Sequence, residues 1–127
     1  MKSGHPKIFC VIPNYNGDKD LAESIDSLLS QSLACRVVVV DNGSKDTSRA
    51  ILNSYGDKID RVYNAKNLGF AGGVNSGIKF SLKAGATHIA LFNNDAIAEK
   101  DWLKNLMAVF SKDSKIGIVT GKIIKRG

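Results

Sequence analysis

No apolar run in this sequence approaches the roughly 20 residues needed to cross a bilayer, although 43% of its residues are hydrophobic. Met1 to Lys7 carry charge, Gly and Pro, and the short apolar stretch that follows soon meets Pro13 and Asn14. That stretch is too short and too quickly interrupted for a signal peptide. The default expectation is a cytoplasmic protein with a flexible tail over residues 1–6. Cysteine is scarce: Cys10 and Cys35 are the two present. They lack the secretory context of a disulfide framework and the additional closely spaced ligands of a zinc site. Both sit in apolar surroundings and are expected to behave as small buried hydrophobes.

Other signatures are missing as well. There is no zinc-finger spacing and no RNP-type aromatic pattern, so nucleic acid is not an expected partner despite the net charge of +6. The basic stretch Lys122 to Arg126 is too short for a nucleic-acid arm. No G-x-G-x-x-G follows the first apolar run, which argues against a dinucleotide-dependent oxidoreductase. No G-x-x-x-x-G-K occurs, and the Gly-rich stretch from Asn67 to Gly73 carries no P-loop lysine. A nucleotidyltransferase would want a Gly-rich loop bearing Arg and Lys directly after the first strand, where this chain has Asn14-Tyr15-Asn16-Gly17.

What is present is an alternation. Ile8–Ile12 and Val37–Val40 are continuous, mostly β-branched runs, as expected of strands buried on both faces of a parallel sheet. Arg61–Tyr63, Ile89–Phe92 and Ile116–Val119 read as shorter strands. Between them lie helical patterns. One carries Leu21, Ile25, Leu28 and Leu29, with Asp18 as a candidate cap. The next starts around Ser44, Asp46 or Thr47 and carries Ala50, Ile51 and Tyr55. A third runs from about Ala71 to Lys83 with Val74, Ile78 and Leu82 on one face, stopping at Gly85. Trp102, Leu103, Leu106, Val109 and Phe110 mark a fourth, where Trp102 and Phe110 are expected in the core. One domain of 127 residues is expected, an α/β fold built as a three-layer α/β/α sandwich with a mainly parallel sheet.

In such sheets ligands bind beyond the carboxyl ends of the strands. Asn, Asp and Gly collect at those ends: Pro13 to Gly17, Asp41 to Ser44, Asn64 to Asn75, and Asn93-Asn94-Asp95. Each loop alone is ordinary turn chemistry, but four converging on one edge indicate a site. A tyrosine there can stack on a base, glycines allow close approach of backbone, and helix N-termini suit phosphate. Asp95 offers a hard oxygen to Mg²⁺ or Mn²⁺, ions that keep few protein ligands and complete their shells with phosphates and water. His88 is expected at a strand edge and His5 in the tail.

These segments, taken in order, resemble the N-terminal portion of the family 2 inverting glycosyltransferases of GT-A fold, particularly the rhamnosyltransferase-like branch. The resemblance runs from Ile8 to Ile124. It rests on V-I-P-N-Y-N at 11–16, V-D-N-G-S-K-D at 40–46, N-L-G-F-A-G-G-V-N-S-G-I at 67–78, L-F-N-N-D-A at 91–96, D-W-L at 101–103, and the closing segment from Gly117 to Gly121. The resemblance implies a nucleotide-sugar site formed by Pro13, Tyr15, Asn16, Asp41, Asn42, Asn67, Gly69, Gly73, Asn75, Asn93 and Asn94. Tyr15 would pack against a pyrimidine, and the Asn42 amide oxygen would accept from its N3–H. Asn93 and Asp95 occupy the two acidic positions of the D-x-D motif and imply a site for Mg²⁺ or Mn²⁺ with one charge fewer than usual.

By the same resemblance the donor is a UDP- or dTDP-sugar and the acceptor a saccharide or a lipid-linked chain in cell-envelope polysaccharide or glycoconjugate synthesis. Peripheral association with the inner face of the membrane is part of that expectation. Inversion needs a general base to deprotonate the acceptor. In the family that base lies further along the chain than Gly127, so a truncated polypeptide without its acceptor-binding part is expected. Glu99 and Asp101 are poor substitutes. The alternative is a nucleotide-binding module that performs no turnover on its own.

Overall fold

The apolar runs form the centre of a four-stranded sheet in a computed structural model that describes residues 5–113 and 115. In chain order the elements are β1 (Ile8–Asn14), α1 (Leu21–Leu29), β2 (Arg36–Asp41), α2 (Ser48–Ser54) and β3 (Asp60–Tyr63). They continue with α3 (Gly69–Lys83), β4 (His88–Leu91) and α4 (Trp102–Phe110). The strands lie in the order β3-β2-β1-β4, and every pairing is parallel. The fifth expected strand, Ile116–Val119, lies outside the described residues.

Two separate cores confirm the three-layer arrangement. On one face Ile8, Cys10, Ile12, Val37 and Val39 pack with Leu21, Ile25 and Leu28 of α1, Leu52 of α2 and Leu103 of α4. On the other face Phe9, Val11, Val38 and Val40 meet Phe80 and Ala84 near the end of α3. Both central strands are buried on both sides, which is why their apolar runs do not alternate. Trp102 packs partly buried against the first core, tilted against Phe92 at 5.2 Å between ring centroids, as expected of a core residue. Cys10 is fully buried and Cys35 partly so, and both are free thiols. The neighbouring Cys35 thiol and burial together push the Cys10 thiol above its ordinary value, so it stays protonated.

Two expectations need correction. Asp18 does not cap α1, which begins after Asp20. Its carboxylate accepts instead from the backbone N–H and hydroxyl of Thr47, at 3.2 and 2.8 Å. The second helix starts where expected, with Thr47 at its N-cap and Ser48 as its first residue, and Asp46 Oδ1 accepts the Ser48 N–H at 2.9 Å. Leu82 is not on the buried face of α3 but 60% exposed. That face is made of Gly73, Val74, Gly77 and Ser81. A Cβ on Gly77 would run into Val11 Cγ1 and come within 3.0 Å of Val40 Cγ2. The glycines thus let α3 lie close on the sheet as it carries the chain from β3 past β2 and β1 to β4.

The strand ends are level. Asn14 pairs with Asp41, which pairs with Tyr63. The chain leaving β4 continues beside β1, with the Phe92 N–H donating to Val11 O at 2.9 Å. The loops that follow all four strands therefore meet on one edge.

Gly77→Ala is expected to destabilise the fold by about 1–3 kcal/mol, the usual cost of inserting a methyl group into a filled interior. Urea unfolding monitored by circular dichroism measures it. Asp46 gives a second prediction. Partial burial raises its carboxyl, but hydrogen bonds from Ser48 and from the Asp18 backbone outweigh this and hold it below the ordinary value of 3.8. Its contribution is therefore complete above that value and lost as pH falls through the lower folded one. Asp46→Ala should cost about 1 kcal/mol at neutral pH, and the difference from the parent chain should shrink below pH 3.8.

Candidate functional site

Asp41 ends β2 with its side chain entirely closed to solvent. Its Oδ1 accepts from Asn14 Nδ2 at 3.2 Å, and its Oδ2 accepts from the Ser44 N–H at 3.2 Å and from Arg49 Nε at 3.3 Å. The guanidinium of Arg49 also lies over the ring of Tyr63, 4.9 Å from its centroid. A buried carboxylate is tolerated when its lone pairs are filled in this way.

Asn14, 1% exposed at the end of β1, extends the arrangement in both directions. Its Nδ2 also reaches Ser44 Oγ at 3.3 Å, and its Oδ1 accepts from Asn94 Nδ2 at 2.8 Å. Gly17 makes room for this second bond: a Cβ there would collide with Asn94 Nδ2 and lie 2.6 Å from Asn14 Oδ1. A second cluster joins β2, β3 and α3. Asn42 Oδ1 accepts from Asn64 Nδ2 at 2.8 Å, and Asn42 Nδ2 donates to Gly69 O at 3.1 Å. Asn64 Nδ2 also reaches Ser76 Oγ at 3.2 Å.

The residues anticipated from sequence all lie on this edge, and they divide into two groups. Asp41, Asn42, Asn67, Gly73 and Asn94 are committed to the fold. The oxygen of Asn42 that the resemblance offers to a pyrimidine already accepts from Asn64. Asn67 Oδ1 accepts the Gly69 N–H at 2.8 Å and so fixes the start of α3. A Cβ on Gly73 would lie 2.6 Å from Asn42 Nδ2 and 3.4 Å from Pro13 Cβ, so this glycine serves close contact between α3 and the strand ends. Gly69, at φ +80°, makes the left-handed entry into that helix.

The second group faces outward. Tyr15 is 46% exposed. Asn16 holds the left-handed φ of +51° that Asn tolerates better than most residues. Its Oδ1 accepts the Lys45 N–H at 2.8 Å, which keeps the loops after β1 and β2 together. Asn75, Asn93 and Asp95 are exposed, and among the described residues no hydrogen bond occupies their side chains. In Asn93-Asn94-Asp95 the middle side chain turns in to Asn14 while its two neighbours stay at the surface. Those two oxygen-bearing groups, one amide and one carboxylate, are hard donors of the type Mg²⁺ and Mn²⁺ accept. Among the described residues no group of three or more His, Cys, Asp or Glu could hold a metal by itself. Any ion here would therefore depend on oxygens from its ligand and water.

Asn14, Gly17, Ser44 and Asn64 fall within the strand-end segments picked out from sequence but were given no role in the site, and Arg49 lies outside them. For Asn14 a signal existed: it continues the inward register of Ile8, Cys10 and Ile12 in a strand buried on both faces, where a polar side chain demands partners. His88 opens β4 with its ring edge-on to Phe110 at 5.3 Å, a strand-edge residue as expected. Asp101 precedes α4 and accepts from Ser32 Oγ at 2.5 Å, towards α1.

The family model for glycosyl transferase family 2 matches residues 9–126. The chain belongs to that family. Among its relatives is a protein of Rickettsia prowazekii named uncharacterized glycosyltransferase RP339. The two are 43% identical over 75 residues, covering 58% of this chain and 23% of the relative. The dTDP-rhamnosyl transferase RfbF of Shigella flexneri is 32% identical over 108 residues, covering 84% of this chain and 36% of that protein. This family 2 chain thus spans well under half the length of either relative.

Two solved structures show the same fold. The mannosyltransferase PcManGT of Pyrobaculum calidifontis, in complex with GDP-Man and Mn²⁺, superposes with a TM-score of 0.80 at 21% identity, covering 91% of this chain and 35% of that one. S. aureus TarS in complex with UDP gives 0.74 at 24% identity, covering 94% and 38%. The GT-A arrangement implied by the sequence is the arrangement found.

Asp41→Ala is expected to remove the common partner of Asn14, Ser44 and Arg49, leaving Asn14 Nδ2 short of an acceptor. A loss of about 2–4 kcal/mol is expected, as for other broken buried polar networks, and thermal and urea unfolding measure it.

Proposed function

We propose that this chain forms the donor side of an inverting glycosyltransferase that takes a UDP- or dTDP-sugar and passes the sugar to a saccharide or lipid-linked acceptor. The observation that carries this reading is the outward pair Asn93 and Asp95 on an edge where the neighbouring polar side chains are tied inward. Tyr15 offers an open ring face for the base. The exposed first turn of α3, beyond the Gly69 N–H that Asn67 holds, suits a diphosphate as a helix N-terminus. Asn93 and Asp95 would hold a divalent cation, whose charge stabilises the leaving diphosphate. Asp41, Asn42, Asn67, Gly73 and Asn94 then serve the site by shaping it, while Pro13, Asn16 and Asn75 line it.

The dTDP-rhamnosyl transferase relative and the first-strand and fourth-strand motifs favour the rhamnosyltransferase-like branch, and with it a role in cell-envelope polysaccharide synthesis. The UDP held by TarS supports a uridine donor equally. No described helix is long and apolar enough to cross a membrane, and a lipid-linked acceptor would be met at the inner surface of the membrane. A second reading, a nucleotide-binding module without turnover of its own, rests on the other carboxylates near β1 and β2. Asp18, Asp41 and Asp46 are all hydrogen-bonded within the fold, which does not favour any of them as a general base.

Calorimetry with UDP, dTDP and GDP, each with and without Mn²⁺, tests the proposal. Binding of UDP or dTDP strengthened by the metal is expected, and absence of binding by all three would sink the reading. Asp95→Ala should abolish the metal-dependent part while leaving the melting temperature within a few degrees of the parent. Unchanged metal dependence would remove Asp95 from the role.

A further inference from the structure

We infer that Asn14 is a positioning residue that couples the metal-side loop to the nucleotide-side loop, an inference that rests on the donor-site reading above. Asn14 itself is buried beneath the proposed ligand site, between its exposed neighbour Tyr15 and the strand interior. What singles Asn14 out is its place between two segments that must act together.

On one side its amide nitrogen is held by Asp41 Oδ1 and Ser44 Oγ. Ser44 Oγ also accepts the Asn16 N–H at 2.9 Å, so the turn that presents Tyr15 is fixed from the same point. On the other side its amide oxygen receives Asn94 Nδ2. That bond holds Asn94 inward, and the two flanking residues, Asn93 and Asp95, are the ones left at the surface. The two ends of one planar amide thus hold the base-side and metal-side loops in a single geometry. Asn supplies both functions, one donor end and one acceptor end. An Asp in its place would set two carboxylates side by side, and a Leu would take from Asp41 Oδ1 and Asn94 Nδ2 the partner that Asn14 gives them.

Gly17 supports the same inference independently. Its missing side chain is the space through which Asn94 reaches Asn14. A residue kept small to allow one side-chain contact indicates that the contact matters to the shape of the edge.

The coupling predicts how ligands behave. With Asn94 bonded to Asn14 the two loops order together, so a cation at Asn93 and Asp95 also steadies the Tyr15 side and each ligand improves the binding of the other. With the anchor cut, ordering the metal-side loop must be repeated for each binding event, and the mutual improvement falls.

The test uses the complete polypeptide, with UDP and MnCl₂ as probes, and compares the parent with Asn14→Ala, Asn94→Ala and the double variant. The ratio of UDP affinity with Mn²⁺ to that without it should fall about three- to tenfold in each single variant. The double variant should lose no more than the worse single one, since both cut the same link. Asn94→Ala leaves the Asp41 cluster intact and keeps the test valid if Asn14→Ala unfolds. Amide hydrogen exchange at Asn94 to Ala96, followed with no ligand present, should quicken in both variants. Unchanged ratios, or losses that add in the double variant, would overturn the positioning role and leave the donor-site reading standing. A parent protein that binds neither UDP nor Mn²⁺ overturns that reading and this inference with it.

Discussion

The carboxylate of Asp41 lies closed to solvent at the end of β2, and an ion in that position is tolerated only when partners surround it. Those partners come from separate parts of the chain: Asn14 from β1, the backbone of Ser44 from the following loop, and Arg49 from α2. Their positions are therefore not independent. The first strand must be in register with the second, and α2 must be docked, before the charge is satisfied. Asn14 and Asn94 then extend the constraint to the loop after β4. The geometry of the whole carboxyl edge follows from the need to accommodate one buried ion.

The opposite layer meets a different constraint. A helix that spans two strands of β-branched residues must either stand off from them or give up side chains at the contact. In α3 the side chains are given up, at Gly73 and Gly77. The same approach brings the beginning of the helix against Pro13 and Asn42 and so sets the wall of the candidate site. The Gly-rich segment from Gly69 to Gly73 is, in the fold, the opening of α3.

Much of this was legible in the sequence. The β-branched runs gave the strands and the parallel layout, because burial on both faces leaves a continuous apolar signature. The edge itself was legible from where Asn, Asp and Gly collect. What could not be read was the division of labour among those residues. Asn42, Asn64, Asn67, Asn93 and Asn94 are chemically alike, and the choice of partner is made by tertiary contacts that local pattern does not encode. Asn94 turns inward because Asn14 waits for it across a gap left by Gly17. Asp18 was taken for a cap from its position before a helix, yet Thr47 of a neighbouring loop is nearer to hand. Leu82 fitted the helical period but lies on the far side, because the face towards the sheet had been built from glycine.

The bond between Asn14 and Asn94 joins residues 80 positions apart. A chain emerging from the ribosome can pair β1 with β2, and β2 with β3, well before Asn94 exists. During that interval the amide oxygen of Asn14 lacks the Asn94 amide that it later receives. The bond between the two loops can therefore form only after the segment carrying Asn94 has been made. A contact across so much intervening chain carries the entropic cost of long-range closure.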